Sequence, residues 1–367
     1  MECLPSIHNA RKILEEEQSA ETYYPVFKRI QDSMNKYLRK KGYPEQVEVY
    51  DKSSLRARDY TGWVLKHDGS IAGKSHHDST APVEIVSPIL FDRGKEENWN
   101  RPVRCIFQAL DDADGVETND TCGTHFHLSP ESGAWTLEDL KQLSYCILYF
   151  EQAFEPLYWK SFKERGERKT YELHAPETEK PSRRIEYVKA NWAQNRILKD
   201  YSFEQAVDAI WEKKTIWAVA KLMNAVKYDE DHQNDYRHAN NQQANNPQAP
   251  APADADRNYA WNFENLRTGN PKQTVEYRRP PGIQGANACI NWGRLAATFV
   301  RAATNVKADA DEVSDTMTRF PIPPRHVNVG ELKEFLKPGL PPKTTFEDYF
   351  GDFFMGKLGN MKVDSLK

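Results

Sequence analysis

Two histidines stand two residues apart in His125-Phe126-His127, behind the glycine-punctuated turn 118–124 and ahead of Pro130. Side chains alternate along a strand, so both imidazoles would project from one face about 7 Å apart, with Phe126 and Leu128 on the other. Paired imidazoles suit a metal ion, a nucleotide phosphate or proton transfer. They equally suit surface or hydrogen-bonded histidines with no chemistry. Two further stretches carry groups that could join them. Glu84 lies among β-branched residues in 81–90, and in 273–278 alternation puts Thr274, Glu276 and Arg278 on one face and Val275 and Tyr277 on the other. Carboxylates and imidazoles admit Mg²⁺, Mn²⁺ or Zn²⁺, and an arginine adds a planar donor for phosphate or carboxylate oxygens. A plainer reading makes Glu84 an edge-strand carboxylate facing water and Glu276 with Arg278 a structural pair.

The elements that must hold these residues are legible from period and capping. Residues 23–40 read as a helix, with Tyr24, Phe27, Ile30, Met34 and Leu38 at three- and four-residue spacing and Gly42 as its stop. Strands are expected at 47–50, at 62–71 with a turn at Asp68-Gly69, and at 81–90 around Glu84. A short helix at 103–111 precedes the histidine turn. Thr136, with Asp139 three residues on, caps a long helix whose apolar stripe runs from Leu137 to Leu157. Ser202 with Gln205 opens another, expected to run through Trp211 and Trp217 toward Val226. Residues 257–263 and 273–278 read as adjacent antiparallel strands, and 287–303 as a helix.

Composition sets the frame. The chain has 367 residues, 39 % of them hydrophobic, enough for a substantial core. Lys and Arg number 50 against 54 Asp and Glu, so no global basic field points to nucleic acid. The five cysteines form no C-x-x-C pair and read as reduced thiols. With no signal-peptide pattern and no long apolar run, a cytoplasmic protein away from the membrane is expected. Residues 229–256, rich in Asn, Gln, Ala and Pro, have little to bury and read as a mobile insertion. Residues 1–44 are taken as an N-terminal helical segment, with Ser6 as a cap and Glu15, Glu16 and Glu17 following. Residues 45–305 form the main domain, and 306–367 a proline-rich tail over its surface with a short helix at 330–336.

The order of these segments resembles a known family. Trp63-Val64 followed by Asp68-Gly69-Ser70, Glu84 followed by Ser87-Pro88, Cys122-Gly123-Thr124-His125 with His127, a long helix, then Asn262 and Thr274 with Glu276 and Arg278 are together similar to the amidoligase branch of the glutamine synthetase-like carboxylate-amine ligases. The likeness spans about residues 45–305. It implies an α+β fold, a curved and largely antiparallel sheet forming an open bowl with helices on its outer face. It also implies an ATP- and Mg²⁺-dependent ligase, with Mn²⁺ as a substitute, that joins a carboxylate to an amine through an acyl phosphate. The partners implied are a small-molecule or peptide substrate and an amine. By the same resemblance Glu84, His125 and Glu276 would be metal ligands, and His127 and Arg278 would act at the nucleotide and the reacting groups. Arg257 and Arg183 would be further phosphate or carboxylate contacts.

One departure concerns the start of the chain. Members of that family begin with a Gly-x-Glu-x-Glu strand, and no such strand is apparent in residues 1–20, where the pattern is helical; Asp68 is the nearest spare carboxylate. This motivates a second expectation, a degenerate member that binds nucleotide or peptide without turnover. A third is a metal hydrolase built on the two histidines, which needs a metal-activated water and no ATP.

Overall fold

The computed structural model describes residues 2–5, 24–50, 60–68, 71, 82–92, 99–113, 116–118, 122–163, 188–225, 258–267, 270, 272–305, 327–351 and 353–354, with the backbone alone for 2–5, 116, 155–156 and 158–163. Arg183, Arg257, Ser6 and the polar stretch 229–256 lie outside them.

The chain opens with strand β1 (Glu2–Pro5), where the sequence pattern suggested no strand. β1 is not peripheral: it lies between β4 (Val83–Val86) and β5 (Val116–Glu117), antiparallel to both. Its register places Glu2 opposite Glu84. Helix α1 (Tyr24–Lys40) follows, burying Val26, Phe27, Ile30, Met34 and Leu38. Arg39 and Lys40 in its last turn complement the helix dipole, and Gly42 at φ +70° ends it in a conformation that glycine adopts without strain. On α1, Asn35 clamps strand β2 (Val47–Val49) by both ends of its amide, donating 2.8 Å to the Val47 carbonyl and accepting 2.9 Å from its N–H. A side chain thus completes the hydrogen bonding that a further strand would supply at this edge. Strand β3 (Trp63–His67) pairs parallel with β2 and antiparallel with β4, completing a five-stranded sheet in the order β2-β3-β4-β1-β5.

Helix α2 (Asn100–Asp112) leads to the second sheet, β6-β8-β7, made of β6 (Phe126–Leu128), β7 (Trp261–Asn262) and β8 (Val275–Tyr277), antiparallel throughout. The observed class is therefore α+β with small, mainly antiparallel sheets. β7 is shorter than 257–263 suggested: Tyr259 bridges to Lys189 rather than to β8, Ala260 bends, and a 3₁₀ turn at Glu264–Leu266 follows the strand.

The core is one hydrophobic cluster that runs from α1 and the first sheet to the helices packed on the second. Helix α3 (Leu137–Lys163) starts with the expected capping box, Thr136 N–H reaching Asp139 at 3.1 Å and Asp139 N–H reaching Thr136 Oγ1 at 3.0 Å. Its Phe150 and Phe154 meet Phe299 of α6 (Ala286–Thr304), and Trp261 stacks on Tyr277 with ring centroids 4.5 Å apart. The helix expected from 203 toward 226 is instead two, α4 (Phe203–Trp211) and α5 (Ile216–Met223). Glu212, Lys213 and Lys214 break the apolar stripe, and Thr215 then adopts an extended backbone and accepts from Ala218 N–H as a second cap. The C-terminal stretch enters the core more deeply than a surface tail: α7 (Val329–Leu336) buries Leu332 and Leu336, and α8 (Phe346–Phe350) buries Phe350. Among the described residues no helix is long and apolar enough to cross a membrane. Cys105, Cys122, Cys146 and Cys289 are buried, and burial pushes the thiols of Cys105, Cys146 and Cys289 up, away from nucleophilic chemistry at neutral pH.

The segment ahead of β6 is tied to the one after β8 by close backbone approach. Gly282 N–H donates to the Cys122 carbonyl at 3.0 Å, and a Cβ at residue 282 would fall 2.5 Å from the Cys122 Cβ and 3.2 Å from its carbonyl carbon. Gly282→Ala is expected to destabilise the protein by about 1–3 kcal/mol, the usual cost of overpacking a filled site. Urea unfolding checks this, with a lowered midpoint at unchanged slope as the expected outcome.

Candidate functional site

The site is built on one row of residues across the second sheet. Register places His127 of β6 opposite Glu276 of β8, and Glu276 opposite Asn262 of β7. Directly opposed residues on antiparallel strands share a face, so a three-strand row brings imidazole, carboxylate and amide together. The other face of β8 carries Val275 and Tyr277, both buried, as the alternation predicts. The ladder extends beyond β6, since Gly123 bridges to Pro281, Thr124 N–H donates to the Pro280 carbonyl at 3.1 Å and Thr124 Oγ1 to the Pro281 carbonyl at 2.9 Å. These bonds hold the turn that delivers His125.

Four of the expected residues converge. Only 5 % of the Glu276 side chain is exposed, and both its oxygens accept hydrogen bonds: Oε1 from Arg278 Nη1 at 2.7 Å and Oε2 from Asn262 Nδ2 at 2.8 Å. His125 Nδ1 lies 3.4 Å and His127 Nε2 3.6 Å from the same Oε1. These are ion-pair distances, longer than a good hydrogen bond. His127 Nδ1 is 3.1 Å from Thr274 Oγ1 and 3.3 Å from Asn265 Nδ2. Burial of the ring pushes the His127 pKa down to about 4, although 36 % of the side chain still meets solvent. Glu276 opposes that shift, while Lys272 and Arg278 reinforce it. At neutral pH His127 is thus a neutral imidazole and a weak base.

Glu84 does not join this cluster. It sits in the five-stranded sheet, ion-paired to Lys66 Nζ at 2.5 Å across the β3–β4 register. Arg183 and Arg257 lie outside the described residues. Conversely, pattern reading gave no role to Asn265 beside His127 or to Asn224, which follows α5 and donates to Asn262 Oδ1 at 2.7 Å. Their only sequence signal is a polar residue at an element end, which reads as an ordinary cap.

A resident metal does not fit the described side chains as they stand. Arg278 sits on Glu276 Oε1, the oxygen that both imidazoles approach, Asn262 holds Oε2, and Lys66 holds Glu84. Among the described residues no group of three or more His, Cys, Asp or Glu is arranged to hold a metal ion. What the arrangement offers is a charge-assisted arginine, a neutral imidazole and hydroxyl and amide groups on one face.

Residues 14–171 match the model of a family described as "Putative amidoligase enzyme". The match bears out the resemblance read from the motifs in the upstream part of the chain. The matched stretch contains Glu84, His125 and His127 and stops short of Glu276 and Arg278. No curated protein and no solved structure matches the chain.

In the metal-free protein the His127 ring is expected to titrate near pH 4 rather than near the ordinary value of about 6.5. The unfolded chain takes up this proton at the higher pH and the folded protein only at the lower one. This residue therefore lowers folding stability as pH falls between the two values, and its penalty is absent above the upper one. Ring-proton NMR titration measures it directly, and a midpoint near 6.5 would show that the exposed part of the ring keeps it solvated.

Proposed function

We propose that the chain is an ATP-dependent ligase that joins a carboxylate to an amine through an acyl phosphate. The observation that carries the proposal is the convergence of His125, His127 and Arg278 on the buried Glu276 carboxylate across β6 and β8, together with the amidoligase match upstream. In this reading the two sheets are walls of the curved glutamine synthetase-like bowl. The substrate carboxylate attacks the γ-phosphorus of ATP and ADP leaves; the amine then attacks the acyl carbon, an amide forms, and phosphate departs carrying the oxygen lost from the carboxylate. Mg²⁺, with Mn²⁺ as a substitute, enters the proposal as the partner of the nucleotide and is given no seat on these residues.

Each side chain has a task that follows from its chemistry. Arg278, oriented by Glu276, turns its guanidinium toward the phosphoryl group, where negative charge spreads over equatorial oxygens as transfer proceeds. His127, neutral at pH 7 and too weak a base to hold the proton the amine sheds, contacts the nucleotide or the substrate, and that proton passes to solvent. His125, 13 % exposed, borders the nucleotide phosphates. Arg183 and Arg257 are further contacts for phosphate or substrate carboxylate.

A second reading, binding of nucleotide or peptide without turnover, draws on a specific observation: both Glu276 oxygens are engaged by protein donors. A hydroxylamine trap separates the two. Purified protein with Mg²⁺-ATP, carboxylate pools and hydroxylamine is expected to release ADP and form hydroxamate, whereas ATP binding with neither product selects the non-catalytic reading. Arg278→Lys, which keeps charge but loses the planar fork, is expected to lower kcat about 10²- to 10³-fold. His125→Ala is expected to weaken Mg²⁺-ATP binding about tenfold by calorimetry, with the circular dichroism of the folded domain retained. Unchanged nucleotide affinity would remove His125 from the site.

A further inference from the structure

Glu276 receives its second hydrogen bond from an amide whose direction is set elsewhere. Asn262 and Asn224 are both buried. Asn262 Oδ1 accepts from the Glu264 backbone N–H at 3.0 Å as well as from Asn224 Nδ2 at 2.7 Å. A backbone N–H can only donate, so the oxygen end of Asn262 must face it and the NH₂ end must face Glu276 Oε2. Asn224 is fixed by the same logic: its Oδ1 accepts from the Phe263 N–H at 2.9 Å, which turns its NH₂ toward Asn262. Two neighbouring backbone donors thus set the polarity of a chain running Asn224 to Asn262 to Glu276.

We propose that Asn224 is a positioning residue for the ligase reaction: through Asn262 it holds the Glu276 carboxylate in the orientation that seats Arg278. This rests on the function proposed above. Asn224 touches neither Arg278 nor the imidazoles in the interactions described; it acts by fixing the Asn262 amide, and Asn262 aims the carboxylate. Without Asn224, Asn262 keeps one acceptor bond from Glu264 and loses the other. The carboxylate then gains freedom to turn, and Arg278 Nη1 loses its fixed seat on Oε1. Small misplacements of a reacting group are costly in rate. The effect therefore falls on kcat more than on nucleotide affinity.

A structural role alone would show in stability without that split, and the same layer of the protein supplies a control. Asn195 is equally buried, donates to the Leu222 carbonyl at 2.9 Å and the Met223 carbonyl at 3.2 Å and accepts from the Ile197 and Leu198 N–H groups; it thus holds the end of α5 through backbone alone, with no bond to the side chains of Asn224, Asn262 or Glu276. Its alanine variant should lose stability comparably while retaining activity.

The test compares Asn224→Ala, Asn224→Ser and Asn195→Ala in the full chain. Hydroxamate formation from Mg²⁺-ATP is expected to show kcat lowered about tenfold to a hundredfold for both Asn224 variants, with KM for ATP within about twofold and kcat near wild type for Asn195→Ala. Asn224→Ser keeps a polar group in the cavity and serves if the alanine variant fails to fold. A second arm uses unliganded protein and does not depend on the ligase reading. The side-chain NH₂ of Asn262, followed by ¹⁵N NMR, should be protected from solvent exchange in wild type and lose protection in the Asn224 variants but not in Asn195→Ala. Equal kcat losses for Asn224→Ser and Asn195→Ala, or an Asn262 signal indifferent to residue 224, would overturn the proposal. If wild-type protein forms no hydroxamate while the Asn262 signal responds as expected, the ligase reading fails and the positioning of Glu276 stands.

Discussion

A carboxylate removed from water must be met by donors, and the second sheet is organised around meeting that demand for Glu276. Leaving such a group buried and unpaired costs several kcal/mol, a large fraction of the stability of a whole domain. Arg278 and Asn262 answer it from two directions, and both are in place only if β7 and β8 hold their register. A one-residue slip would turn Glu276 into the aromatic layer and Tyr277 toward Asn262. β7 is two residues long and could not hold that register through its ladder alone. It is held by side chains: Asn191 bonds Trp261 at both its N–H and its carbonyl, and Asn224 bonds the Phe263 N–H.

The apolar and polar halves of the sheet therefore stabilise each other. Tyr277 stacks on Trp261 and Phe154 packs against both, so the aromatic layer presses β7 onto β8 from one side. The hydrogen-bonded row does so from the other. α6 reinforces this from beneath: at Gly293 an added Cβ would lie 2.7 Å from Trp99 and 3.0 Å from Phe126, so a helix without a side chain there can approach β6 closely. Packing thus reaches the histidine strand through glycine, and the polar row through tyrosine and tryptophan.

Much of this was legible in the sequence because it is periodic. Alternation in 273–278 correctly sorted Glu276 and Arg278 from Val275 and Tyr277, and the capping residues Thr136 and Ser202 marked where helices begin. Most of what escaped is non-local. β1 has four residues ending in proline, no alternation of its own, and a helix-like pattern after it; it is a strand because β4 and β5 leave a place between them. The break between α4 and α5 is written in Glu212-Lys213-Lys214, where the apolar stripe misses a turn, and in the Thr215 cap after it, a gap that the apolar residues on either side made easy to read through. Glu84 was correctly placed on a strand, yet membership of one sheet or the other depends on pairing that spacing does not encode, and Lys66 rather than the histidines is its partner. Asparagines have no period at all, so the row from Asn224 to Glu276 could be seen only once the chain had closed on itself.

That row also divides the labour of the site. Because the amide directions descend from backbone N–H groups, which cannot reverse, Glu276 is obliged to accept at Oε2, and Arg278 makes it accept at Oε1. A carboxylate engaged in this way is suited to orienting charge and poorly placed to shuttle protons. Opposite that fixed carboxylate stands His127, neutral at pH 7, with Thr274 and Asn265 at its other nitrogen. The sheet thus places a fixed anion and a neutral imidazole facing one another on adjacent strands. In the ligase proposed above, a substrate within reach of Arg278 on one strand is then within reach of His127 on the next.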